Sequence, residues 1–213
     1  DALAGSDTLQ LTGATNFNFD VSTIGTVFTN FESYQKADTS TVTLTGVAGL
    51  SSLGFDVQNG TLVAGTGQLG ATGANNILTP GVLQVASNLT TGSIAGTGSV
   101  VLNANLTTGG NGLSTTFSGD ISGTGGLTKE GTGTFTLSGA NSYDGVTNVN
   151  AGVLNILNAQ ALGTTVGGTV VASGAALEIG GAMVIGTEAL TLNGSGISNG
   201  GALRHITGVV DYT

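Results

Sequence analysis

Short runs in which apolar residues alternate with threonine, glutamine or asparagine, closed by glycine and repeated along the chain, constrain this sequence more than any other feature. One unit reads TLQLTG at residues 8–13, TVTLTG at 41–46, TFTLSG at 134–139 and LTLNG at 190–194. A second reads GTLV at 60–63, GVLQV at 81–85, GVLNI at 152–156 and AALEI at 175–179. A period of two puts Leu, Val, Ile or Phe on one side of an extended chain and Thr, Gln, Asn or Glu on the other. Runs this short cannot bury their apolar edge alone, so they must stack. Leu62 and Leu83 hold equivalent places in successive runs, as do Leu154 and Leu177. Their recurrence, roughly 21–23 residues, matches one turn of a coil with two or three strands. The expected fold is all-β, a right-handed parallel β-helix (β-solenoid) of roughly nine or ten turns, about 45 Å long at one strand spacing per turn.

Composition agrees. The 39 glycines in 213 residues are about 18% of the chain against a usual ~7%, and there is one proline. Charged residues make up 7%, so the surface must consist of Thr, Ser, Asn and Gly. A disordered linker is excluded by the 39% hydrophobic content and its regular placement. A sandwich or barrel would use hairpins, but the Asn-Gly pairs at 59–60, 111–112, 193–194 and 199–200 do not consistently join two alternating runs. The chain reads as one solenoid segment over 1–213, a fragment of a longer surface protein, with irregular, aromatic-rich turns over 1–40. The run 30–36 is compatible with one helical turn.

At residues 125–154 the chain reads GGLTKEGTGTFTLSGANSYDGVTNVNAGVL. This resembles the passenger-associated transport repeat of autotransporter (type V secretion) proteins, whose pattern is GGLTKxGxGTLTLSGxNxYxGxTxVxxGxL. One departure is Val146-Thr147-Asn148-Val149, where that family often has Thr-Thr. Residues 168–178 and 188–197 are similar to the stretches found after such repeats in large passengers. The resemblance implies a β-helical passenger exported to the surface of a Gram-negative bacterium or released from it, structural or adhesive, with folding of the repeat helping export.

Candidate chemistry is sparse. The net charge of −9 with only Lys36, Lys129 and Arg204 as strong cations leaves phosphate backbones and anionic membranes without counter-charges, so neither nucleic acid nor membrane insertion is expected. The G-x-S-x-G pattern at 196–200 lacks the following helix that a nucleophile elbow needs, and His205 is the only histidine. The acids are scattered, and Glu130, Glu178 and Glu188, like Lys129, read as solvated edge charges rather than a glycan-cleaving pair. Gly5-Ser6-Asp7-Thr8-Leu9 is half of a calcium nonapeptide, without a second copy to complete it. No catalytic residue, metal or cofactor is therefore expected.

The aromatic residues offer the one candidate binding patch. Phe17, Phe19, Phe28, Phe31 and Tyr34 gather half of the ten aromatics into one short stretch. They read either as a bulkier core or as an exposed stacking platform for a glycan or a cell-surface ligand. Thr and Asn ladders are the alternative ligand face. End-to-end or side-by-side self-association is the other partner expectation, because solenoid ends expose unpaired edges.

Overall fold

The computed structural model describes residues 7–27, 31, 33–207 and 210–212. Successive alternating runs pair in parallel, turn upon turn, around a continuous apolar core. Ten strands form the first sheet, from Thr8–Leu11 to Leu203–Thr207; seven form the second, from Phe17–Asp20 to Ser142–Tyr143; six form the third, from Leu89–Thr90 to Leu190–Leu192. Met183–Ile185 pairs separately with Val210–Tyr212. Ten strands in the first sheet span nine turns, about 43 Å at ~4.8 Å per turn. The β-solenoid expected from the alternation is the fold observed.

Register shows why the pattern suffices. In the second sheet Val42, Leu62, Leu83, Val100 and Ile121 lie directly over one another, and all are fully buried. Their neighbours Thr43, Val63, Gln84, Val101 and Ser122 form the outward column. Each inward Leu, Val or Ile contributes roughly 1.5–3 kcal/mol by leaving water, and it does so only because the next turn covers it.

Turn length varies more than expected. Leu62 pairs with Leu83 and Leu154 with Leu177, as their spacing implies. However, the turn that brings Ser93 onto Ala74 is shorter than these, and the turn that brings Leu203 onto Leu177 is longer. The difference is absorbed in corners, where no register constrains the chain. The first three turns carry no strand of the third sheet among the described residues; a 3-10 turn at Val21–Thr23 and the irregular chain at 46–54 and 65–73 take its place.

One local expectation is overturned. The segment expected as a helical turn contains the strand Ser33–Lys36, paired residue for residue with Thr8–Leu11. Stacking of Tyr34 on Leu9 and Lys36 on Leu11 extends two columns of the first sheet, and that gain exceeds what one isolated helical turn offers. Among the described residues no helix is long and apolar enough to cross a membrane.

Candidate functional site

Residues 125–154 pass through all three sheets, as Leu127–Lys129, Thr134–Leu137, Ser142–Tyr143, Thr147–Val149 and the start of Val153–Ile156. Most side chains of the repeated pattern point inward. Leu127, Lys129, Leu137, Tyr143, Thr147, Val149 and Leu154 are completely buried, and Phe135 and Asn141 nearly so. The glycines mark where turns touch. Gly131 has φ of +70°, and a methyl group there would sit 2.0 Å from the Gly109 carbonyl oxygen. At Gly145 the same methyl would sit 2.4 Å from the backbone of Gly125 and Gly126.

Two buried polar members of the pattern, Asn141 and Lys129, satisfy backbone across turns. Asn141 Oδ1 accepts from the Ile121 N–H at 2.9 Å, and its Nδ2 donates to the Ala161 carbonyl at 2.6 Å. One side chain thereby clasps the turns below and above its own. Lys129 Nζ donates to the carbonyls of Glu130 at 2.7 Å, Gly131 at 2.8 Å and Ala151 at 3.2 Å. Burial pulls its pKa down to about 8, against a smaller upward pull from the Glu130 carboxylate. The Tyr143 hydroxyl shares a 2.6 Å hydrogen bond with Thr147 Oγ1. Thr147 stacks on Thr169, whose hydroxyl donates to Glu188 Oε1 at 2.8 Å. Burial raises the pKa of both Tyr143 and Glu188, partly offset in each by the threonine hydrogen bond.

These contacts correct the reading of Lys129 and Glu188 as solvated edge charges. Lys129 is buried because strand alternation turns it inward beneath Val149, and Glu188 is drawn in by Thr169. Glu130 is held by the Asn150 amide at 2.7 Å and Glu178 by Arg204 at 2.5 Å. Lys36 is also buried, between Leu11 and Val57 in the first sheet. Its ammonium bonds Asp38 Oδ1 at 2.6 Å and also the Asp38 carbonyl. The ammonium, the Ser40 hydroxyl and the Gly13 N–H together hold the Asp38 carboxyl far below its usual range. All three strong cations are thus engaged within the fold.

Ser198 of the G-x-S-x-G pattern lies in a 3-10 turn with φ of +51°, not at a strand-to-helix elbow, and His205 stands exposed on the last strand of the first sheet. In the calcium half-pattern, Gly5 and Ser6 lie outside the described residues. Among those described, no group of three or more His, Cys, Asp or Glu side chains is placed to hold a metal.

The aromatic candidates divide. Phe17 and Phe19 pair with the buried Val42 and Leu44 and pack against the core from the first turn. Phe28 lies outside the described residues. Phe31 and Tyr34 line an open groove of about 490 Å³, with Ser33, Leu50, Ser52 and Asp56 among its other walls. The Tyr34 ring packs on buried Phe55 with centroids 5.7 Å apart, and its hydroxyl donates to the Phe31 carbonyl at 3.3 Å. Sequence reasoning misses the cross-turn role of Asn75 and Asn141. Both are buried polar residues, and their place opposite the backbone of a neighbouring turn is visible only once turn length is known.

The family model of the passenger-associated transport repeat matches residues 127–156, beginning and ending two residues later than the stretch 125–154 expected from the pattern. A curated relative, the adhesin BmaC autotransporter of Brucella suis biovar 1 (strain 1330), is 33% identical over 165 residues. That match covers 73% of this chain, and the chain spans about 4% of the relative's length. No solved structure matches.

Proposed function

Taking as premise that the chain is a segment of an autotransporter passenger, we propose that it is a rigid stalk exposed on a Gram-negative cell surface, holding adhesive parts of a larger protein away from the membrane. The observation that carries this reading is the direction of the repeat's most distinctive side chains: Lys129, Asn141, Tyr143 and Thr147 are buried and, with the close-packed glycines, bind the solenoid to itself. A surface evolved to recognise a partner would turn such residues outward. The reading is non-catalytic. The segment neither binds nucleic acid nor enters the membrane, in keeping with cations committed to internal partners.

Stacking also suits export. Each turn that folds outside the cell buries the apolar edge of the one before, so folding can pull the chain outward without ATP. The test compares two variants displayed from a bacterial surface. Leu154→Asp places a carboxylate in a fully buried column and should reduce both display and cell adherence. A triple alanine variant of the outward residues Thr107, Thr128 and Asn148, which form one column of the third sheet, should leave both unchanged. Loss of adherence by the triple variant at normal display would overturn the stalk reading.

A further inference from the structure

We propose that the groove between Tyr34 and Leu50 is a binding site for a short, neutral saccharide. It lies where the third sheet is missing, so the corner leading into the first sheet is left open across turns two to four. Its volume, about 490 Å³, falls within the range of small-ligand sites. The walls combine what a sugar ring requires. Phe31, Tyr34 and Leu50 offer apolar surface for the C–H face of a pyranose, and Ser33, Ser52 and Asp56 offer hydroxyl and carboxylate groups for its hydroxyls.

The aromatic wall is set in advance. Tyr34 is packed on Phe55 and tied through its hydroxyl to the Phe31 backbone, so little side-chain freedom is lost on binding. Asp56 is oriented by the Asn76 amide, which donates to its Oδ1 at 2.7 Å, and its second oxygen is the acceptor a sugar diol would use. Charge narrows the class further. Among the described residues no lysine, arginine or histidine lines the groove, and Asp56 supplies a negative charge. A sialic or uronic acid would therefore meet repulsion with no compensating cation. The groove and the stalk reading stand apart, since the outward column tested for the stalk lies on another face.

Ligand-observed NMR on the folded chain tests the site, with lactose and N,N′-diacetylchitobiose as neutral probes and sialyllactose as the acidic one. The expected result is saturable binding of at least one neutral disaccharide at millimolar concentration, with sialyllactose at least tenfold weaker. Asp56→Ala and Leu50→Ser, both at partly exposed positions, should each weaken the neutral probe at least tenfold while the thermal melting curve stays in place. Absence of binding by both neutral probes, equal binding of sialyllactose, or affinity unchanged in the Asp56 and Leu50 variants would overturn the proposal.

Discussion

Replacing Asn141 with leucine removes a side chain that satisfies backbone groups on two other turns while keeping its branched skeleton of heavy atoms. Asn141 is 5% exposed, and both partners, Ile121 and Ala161, are fully buried. The variant leaves the Ile121 N–H and the Ala161 carbonyl without these partners, at about 1–3 kcal/mol each. The added apolar burial returns about 1–2 kcal/mol. Taken at the middle of each range, the expected net loss is about 2–3 kcal/mol, a large share of the roughly 5–15 kcal/mol that stabilises a typical domain. Stacked turns can open in part, so the informative assay is amide exchange at Ile121 rather than a global melt alone. Protection there should fall by roughly 30- to 150-fold, since each ~1.4 kcal/mol is tenfold.

Asn141→Asp supplies the internal control. It keeps the acceptor for Ile121 but turns an oxygen toward the Ala161 carbonyl, so it should destabilise at neutral pH. The introduced carboxyl is favoured protonated in the fold, where it can donate to Ala161, so its folded pKa lies above the ordinary ~3.9 of the unfolded chain. A group whose folded pKa is raised gives stability at low pH that is lost as pH climbs through the folded value. Acidification should therefore rescue this variant and not the leucine one. The reasoning fails if the leucine variant lies within about 0.5 kcal/mol of the parent with Ile121 protection intact, or if the aspartate variant shows no dependence on pH.

The same region yields two more tests. Lys129 titrates near pH 8 in the fold and near 10.5 when unfolded, so between those values the unfolded chain binds more protons and stability should rise with pH. Denaturant unfolding of the parent and of Lys129→Met across that window should differ by this slope; parallel curves would refute it. Gly145→Ala forces a methyl group to 2.4 Å from the backbone of the turn below. It should destabilise more than Gly174→Ala, where nothing lies within 4 Å and only the strain of a φ of +82° remains. Equal melting points for the two would count against close turn contact at Gly145.

Legibility in the sequence depends on run length. The four- and five-residue runs of the first two sheets declare their inward faces, and Leu62 over Leu83 and Leu154 over Leu177 follow directly. Third-sheet strands such as Leu106–Thr108 and Leu127–Lys129 have three residues, too few for a periodic signal. Lys129 is opaque for a related reason. Beside Glu130 in sequence it looks like half of a surface pair, but one of its carbonyl partners is Ala151, in the next turn. The strand at Ser33–Lys36 is hidden because Ser, Gln and Lys carry little strand preference without the Thr8–Leu11 template. In the aromatic cluster, spacing alone does not separate Phe17 and Phe19, which cover the core, from Phe31 and Tyr34, which border a groove.

The cross-turn clasps at Asn141 and Lys129 also bear on how such a rod fails under load. The backbone enters and leaves each turn at a corner, so tension applied through the chain peels turns singly instead of shearing a whole sheet. Each released turn, roughly 17–26 residues long, would pay out roughly 55–90 Å of slack, a long extension that dissipates work before the next turn is loaded. Unravelling from either end proceeds until it meets a turn whose side chains are anchored to its neighbours. Such anchors stand at Asn75 as well as at Lys129 and Asn141, so resistance to peeling is distributed along the rod in steps rather than concentrated at its ends.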